Sequence, residues 1–342
     1  MDINVYVPVS IAFDISKIQF DNFTSISVNH GKYDRFIFYI KHNKIYMDII
    51  NKYKINEFSF MHAHSLFSNG YIAYKLKQKY NIPYVVAVRS TDINLFFHKV
   101  FYLRKTGINI LKGAYKIIFL SEPYKKNTIE KYVPGKYKKE IEGKSIVIPN
   151  GINKFWLENK YKERSNPKKN RIRLVYAGQI SSNKNIETTI KACELFISQG
   201  YEINFKVIGK IMHGRYNDLI KKHSFIQYIT YCSKEELINH YRNSDIFIMP
   251  SKHETFGLVY PEAMSQGLPV IYTRGQGFDG HFEEGEIGYP VQYDSPDEIV
   301  QRIEDILNNY QTISKNCIKK VDKFDWDKIV NEYIAIYKTY IK

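Results

Sequence analysis

Short apolar runs alternate along this chain with longer segments whose apolar residues recur every three or four positions, most cleanly in the second half. Strand-like runs are read at Arg173–Gly178, Asn204–Gly209, Phe225–Thr230, Asp245–Pro250, Pro269–Thr273 and Tyr289–Tyr293. The segments between most of them have helical spacing, the pattern of a parallel sheet wrapped by helices. Ser233 with Glu236, and Ser295 with Glu298 beside Pro296, are spaced as capping boxes that open helices. Gly200 and Gly267 stand where a helix ends in a left-handed residue. The first half repeats the scheme less regularly. Its strands are expected at Ile3–Val9, Phe58–His64, Tyr84–Arg89, Lys116–Ser121 and Ser145–Pro149, and its helices at His42–Tyr53, Asn69–Tyr80, Asn94–Ala114 and Glu122–Tyr132. The charged stretch Asn159–Asn170, with Pro167, reads as a linker, and Asp325–Tyr340 as a final helix. The expected organisation is a first domain over 1–155, a linker over 156–170, a second domain over 171–322 and a C-terminal segment over 323–342 that packs back toward the first domain. The fold class is α/β, two Rossmann-like domains with parallel sheets facing a central cleft. Ligands of such sheets bind beyond the carboxyl ends of the strands.

Composition narrows the picture. A chain of 342 residues has room for two cores, and 44% hydrophobic with 25% charged residues is ordinary for a globular protein. No run approaches the ~18 apolar residues that would cross a bilayer. The N-terminus lacks the features of a secretory signal, and three scattered cysteines give neither a disulfide framework nor a metal cluster, so a cytoplasmic setting is expected. Of the net charge of +15, residues 1–165 hold +14 and the remainder +1. A basic half beside a neutral one points to an anionic partner or to a merely lysine-rich surface. A nucleic-acid-binding protein would also be basic, and this chain has 29 tyrosines, yet no nucleic-acid module is present.

The chemistry concentrates in Ser251-Lys-His-Glu-Thr-Phe-Gly-Leu-Val-Tyr-Pro-Glu-Ala-Met-Ser-Gln-Gly267. This stretch leaves a buried strand and enters a helix near Gly257. The amides of Gly257, Leu258 and Val259 would then favour an anion such as a diphosphate. Glu254 would sit at the strand's carboxyl end. Glu262, about one turn into the helix, would accept hydrogen bonds from two adjacent hydroxyls, as on a ribose.

With seven residues between Glu254 and Glu262, the segment resembles the E-x7-E motif of retaining GT-B glycosyltransferases of family four. The resemblance extends to Leu174-Val-Tyr-Ala-Gly-Gln-Ile-Ser-Ser-Asn-Lys-Asn-Ile, to Ile148-Pro-Asn-Gly-Ile and to His62-Ala-His-Ser. It implies a transferase that moves a sugar from a UDP- or GDP-linked donor to a saccharide or lipid-linked acceptor with retained configuration, in surface polysaccharide or glycoconjugate synthesis. A GT-B protein that binds a nucleotide sugar without transferring it is the alternative. The resemblance assigns Lys184 to the diphosphate, Glu254 to the donor sugar and Glu262 to the ribose. Phe256 packs under the loop, and Gly178 and Gln179 adjoin the phosphates. Gln179 stands where the family usually has an arginine, and Cys232 where a glycine is common.

In the first half, Arg89 and Asp92 either bind sugar hydroxyls or orient the acceptor, or else form a pair that shapes their own loop. Asp92 is counted with Lys184 and Glu254 among the catalytic candidates, and Arg89, His64 and Asn150 are placed on the acceptor side. His62 and His64 lack a third ligand and make a poor metal site. Neither a metal nor another cofactor is expected, and an anionic membrane surface is the further partner expected of the basic half. Relatives open with a strand and a glycine-rich turn. No glycine precedes Gly31 here, and Ile3–Val9 reads as their second strand, so the N-terminus is expected to be truncated relative to the family or its turn replaced.

Overall fold

The computed structural model describes residues 2–14 and 20–340, so the last two residues of the C-terminal segment lie outside it. Two compact units emerge. One comprises Met1–Ile118, Tyr132–Ser145 and Tyr340–Lys342, the other Phe119–Lys131 and Ile146–Thr339.

The chain runs β1 (Val5–Ser10), β2 (Thr24–His30), α1 (Phe38–Lys52), β3 (Met61–Ala63), α2 (Ser68–Tyr80), β4 (Tyr84–Ala87), α3 (Arg104–Gly113), β5 (Lys116–Phe119), α4 (Glu122–Tyr132), α5 (Gly135–Lys144), β6 (Ser145–Val147) and α6 (Lys154–Glu158). In the first unit β1 pairs in parallel with β2, its one strand partner among the described residues, while β3, β4 and β5 lie in that order in a separate parallel sheet. Strands β4 and β5 are rich in Val, Ile and Phe and largely buried, as parallel strands covered by helices are. Strands β1 and β3 both line a cavity of about 420 Å³, which Ile45 and Ile49 of α1 and Ile72 and Leu76 of α2 also border.

The helix expected over Asn94–Ala114 is not continuous. A π-helical turn spans Asp92–Phe97, a short 3-10 turn spans Phe101–Leu103, and α3 begins only at Arg104. Across this break Phe97 and Leu103 are buried, while Phe101 and Tyr102 between them are exposed. Strand β2 and helix α5 were not read from the pattern. Val28 of β2 is exposed, and α5 buries only Ile141, so neither shows a clean apolar face.

The second unit continues through β7 (Arg171–Ala177), α7 (Ile186–Ser198), β8 (Glu202–Ile208), α8 (Arg215–Lys221), β9 (Ile226–Ile229), α9 (Lys234–Arg242), β10 (Ile246–Ile248), α10 (Val259–Ser265), β11 (Val270–Thr273), β12 (Gly288–Val291), α11 (Pro296–Asn308), α12 (Tyr310–Lys320) and α13 (Trp326–Tyr340). Its six strands form one parallel sheet in the order β12-β11-β10-β7-β8-β9. Ser233 and Glu236 exchange hydrogen bonds as the expected capping box, whereas Ser295 Oγ accepts from Glu298 N–H behind Pro296 and the Glu298 carboxylate accepts from Gln292 N–H and Arg274 instead. Gly200 and Gly267 adopt positive φ.

From β7 the chain winds outward to β9, then returns to β10 on the other side of β7. The order therefore reverses between β7 and β10, and such a switch point opens a crevice at the carboxyl ends of the two strands. The stretch read as a linker is packed. Arg164 is buried and donates to Tyr310 Oη and to the carbonyls of Gln266, Arg242 and Ser244, which ties it to the second unit.

Candidate active site at a strand switch point

Two loops leave the switch point, residues 178–185 after β7 and 249–258 after β10, and side chains from one lock onto the other. Asn183 Nδ2 donates to His253 C=O at 2.9 Å, its Oδ1 accepts from His253 N–H at 3.1 Å, and its own C=O accepts from Lys252 N–H at 2.8 Å. Asn185 takes the left-handed conformation at φ 57°, which Asn tolerates better than most residues, and donates to Pro250 C=O at 3.0 Å. This bracing sets Lys184 between the two loops. Its Nζ lies 2.5 Å from Glu254 Oε2, so residues 70 positions apart meet as a charge-assisted pair. Glu254 is buried, and Thr255 N–H donates to its other oxygen at 3.1 Å.

A third segment supports Glu254 from behind. Gln276 Oε1 accepts from Glu254 N–H at 3.0 Å, while Glu254 C=O accepts from Gly277 N–H and from the Tyr124 hydroxyl. A Cβ at Gly277 would sit 1.8 Å from Thr255 C=O, so the loops touch backbone to backbone. Tyr124 comes from α4, in the first half of the sequence, yet that part of the chain belongs to the second unit. The sequence reading missed Asn183, Asn185, Gln276 and Tyr124. Asparagines flanking a lysine just after a strand are a legible turn signal. Gln276 and Tyr124 act through contacts distant in sequence, which no local pattern reveals.

Gly257, at φ +80°, turns the loop into α10, where a Cβ would strike the Tyr260 ring. Tyr260 N–H donates to Gly257 C=O and Glu262 N–H to Leu258 C=O, so the amides of Gly257, Leu258 and Val259 precede the helix's own bonds. Phe256 is buried against Phe278, His281 and Phe324 and serves as the loop's anchor. Gly178 and Gln179 follow β7 directly, and Gln179 C=O accepts from the Tyr176 hydroxyl at 2.8 Å.

Glu262 lies on α10 with Lys234 as its charged neighbour. Burial raises its pKa to about 7 against the opposing pull of Lys234 and of the Trp156 indole. That indole N–H lies near the carboxylate without a hydrogen bond of good geometry. Glu262 is therefore poised to change charge near neutrality.

In the first unit, Arg89, His64 and Asp92 come together. Arg89 Nε donates to His64 C=O at 3.2 Å, and the His62 and His64 rings stack at 4.1 Å. Burial pushes His62 down to about 3 and lowers His64 as well, so both imidazoles are neutral at pH 7. Asp92, expected among the catalytic groups, is buried, and its carboxylate accepts from the amides of Leu66, Phe67 and Arg89 at 2.9–3.0 Å. It fastens two loops through backbone amides, where the sequence offered a pairing with Arg89 as the structural alternative. Asn150 belongs to the second unit, in the segment after β6 where Ile148 N–H bonds Phe119 C=O and Ile152 N–H bonds Phe324 C=O.

Comparison with known proteins places this arrangement. Residues 158–324 match the family described as glycosyl transferases group 1. The chain is 25% identical over 342 residues to an uncharacterized glycosyltransferase of Methanocaldococcus jannaschii, covering 95% of this chain and 91% of that protein. It is 29% identical over 244 residues to the capsular polysaccharide biosynthesis glycosyltransferase CapM of Staphylococcus aureus, covering 67% and 63%. The structure of Anabaena HepE in complex with UDP aligns with a TM-score of 0.69 at 14% identity, over 92% of this chain and 86% of that one. Two α/β units with parallel sheets give the chain the GT-B fold. Its similarity to named glycosyltransferases, and the match of residues 158–324 to the glycosyl transferases group 1, make it a glycosyltransferase. Among the described residues, no helix is long and apolar enough to cross a membrane.

Proposed function

We propose that this glycosyltransferase takes a sugar from a UDP- or GDP-linked donor and places it on a saccharide or lipid-linked acceptor with retention, in the assembly of a surface polysaccharide or glycoconjugate. The observation that carries the reading is the Lys184–Glu254 pair at the switch point, beside the amides of Gly257, Leu258 and Val259. Names of similar proteins support it: CapM is a capsular polysaccharide glycosyltransferase, and HepE is seen with UDP.

In this reading Lys184 swings from Glu254 to the donor diphosphate, and the three amides complete its cradle, with Gly178 and Gln179 alongside. Glu254, released, accepts hydrogen bonds from the donor sugar. Glu262 as the carboxylate accepts from the ribose hydroxyls. Arg89, His64 and Asn150 are assigned to the acceptor side. Front-side attack then breaks the bond from the anomeric carbon to the diphosphate and forms the bond to the acceptor oxygen on the same face. The acceptor proton passes to the leaving diphosphate. The protein contributes position and fixed charge, with neither a metal nor another cofactor.

Calorimetric titration with UDP, GDP and ADP tests the reading, with Lys184→Ala and Glu262→Ala beside the wild type. One nucleotide should bind, and Lys184→Ala should weaken it by ~10- to 150-fold, the worth of a charge-assisted hydrogen bond. Because a carboxylate is needed for the ribose, affinity should rise with pH through about 7 and binding should release a proton, and neither effect should remain in Glu262→Ala. No binding of any of the three nucleotides would sink the donor assignment.

A further inference from the structure

Exposed large apolar side chains are not spread evenly over the protein. In the first unit one group lies along residues 3–28, on and around β1 and β2, and another on two neighbouring segments, the entry to α1 and the irregular stretch before α3. Tyr33, Ile37 and Ile40 belong to the first segment, Leu95, Phe101 and Tyr102 to the second, with Tyr33 74% and Phe101 72% exposed. The segments adjoin. The Tyr39 hydroxyl lies 3.0 Å from Thr106 Oγ1, and the Phe38 ring meets the Phe96 ring edge-on at 6.0 Å. Soluble surfaces rarely keep so many large apolar groups together unless something covers them.

The charges around the patch say what that cover is. Lys32, Lys99, Arg104 and Lys105 border it, and residues 95–106 contain no acidic side chain. Asp34, the acid nearest the entry to α1, is already paired with Lys44 at 2.7 Å, and Asp48 further along α1 accepts from the Tyr6 hydroxyl. A second copy of the chain would bring one cationic rim against another. A bilayer with anionic headgroups accepts both parts, aromatic and aliphatic groups at the headgroup–acyl boundary and cations at the phosphates.

We propose that this face docks on an anionic membrane, with Phe101, Tyr102, Tyr33 and Ile37 entering the interface and Lys99, Arg104 and Lys105 meeting lipid phosphates. The proposal deepens the acceptor reading above, since it places the enzyme where a lipid-linked acceptor is presented. It also separates two basic regions. Lys136, Lys138 and Lys139 are equally basic, yet among the described residues no large apolar side chain between 104 and 196 is exposed, so that region offers charge without an anchor.

The test is co-sedimentation of the full chain with vesicles of phosphatidylcholine alone or mixed with phosphatidylglycerol, at low and high salt, with calorimetric UDP and GDP titrations on the same samples. The wild type should bind the anionic vesicles only. The double variant Phe101→Ser/Tyr102→Ser should lose at least tenfold in binding. Lys99→Glu and Lys105→Glu should each lose about fivefold, the equivalent of ~1 kcal/mol for a basic residue at the surface. Lys138→Glu/Lys139→Glu should bind like the wild type, and nucleotide affinity should be the same in every variant. Wild type that ignores anionic vesicles overturns the proposal, as does undiminished binding by the Phe101/Tyr102 variant. A lipid-free dimer that the same variant converts to monomer overturns it too, because the patch would then be covered by a second copy. Failure to bind any nucleotide, with vesicle binding intact, would count against the donor reading alone.

Discussion

Each unit buries a carboxylate at the end of a parallel sheet, and the two are held in opposite ways. Asp92 in the first unit is fixed by three backbone amides, partners that cannot leave without unfolding two loops. Glu254 in the second is held by the side chain of Lys184, a partner on a flexible stem that can rotate away when another anion arrives. Both are acids just after a strand, and in the proposed reaction only the second takes part. The sheets differ in the same sense. The second unit has one continuous sheet with a switch point, whereas the first has, among the described residues, two separate sheets whose strands β1 and β3 line one cavity.

The contrast can be broken most forcefully at Gly277. Alanine there drives a methyl group into Thr255 C=O, and the braced loop around Glu254 must shift. We expect a loss of about 3 kcal/mol or more in urea unfolding, with nucleotide binding lost as well. An unfolding midpoint equal to that of the wild type would show that the three loops are not interlocked as described.

Glu262 sharpens the comparison through pH. Its pKa is raised from 4.5 to about 7 in the folded chain, so the native state holds its proton more tightly than the unfolded state does. The resulting stabilisation is full below about 4.5 and is lost as pH rises through about 7, by up to about 3 kcal/mol. Glu262→Gln should remove this dependence, so the stability of the wild type relative to the variant should fall between pH 5 and pH 8. A difference that stays constant over that range would mean Glu262 is not desolvated.

A smaller effect is expected at Asp92. Asp92→Asn keeps one acceptor oxygen and turns an amino group toward an amide donor, at a cost of about 1–3 kcal/mol. Nucleotide affinity should stay at the wild-type level. A fall in affinity as large as that of Lys184→Ala would restore Asp92 to the site.

How much of this was legible beforehand follows the same division. The six strands of the second unit lie close to their expected positions, because Leu174, Val175, Phe247, Ile248, Val270 and Ile271 form runs that only a doubly covered sheet buries. Lys184 was reached through the family resemblance, and Glu254 and Gly257 through the strand-to-helix turn that holds them as well. The amide partners of Asp92 were not legible, because a carboxylate in a loop looks the same in sequence whether it faces amides or solvent. The broken helix before α3 was misread because Phe96, Phe101 and Tyr102 are as apolar as core residues, although Phe101 and Tyr102 face outward. Gln276 and Tyr124 touch Glu254 from 22 and 130 positions away, and neither local propensity nor periodicity encodes such distances.

The ion pair between Lys184 and Glu254 also makes the site its own competitor. In the proposed reaction any incoming anion must displace a carboxylate already seated on the lysine, so a singly charged ion such as chloride gains little by the exchange. A diphosphate brings more than one charge, reaches the amides of Gly257, Leu258 and Val259 at the same time, and releases Glu254 as it binds. Selectivity for the donor over the simple anions of the cell would then arise before any base or sugar is read, from the cost of separating a pair that the fold supplies ready-made.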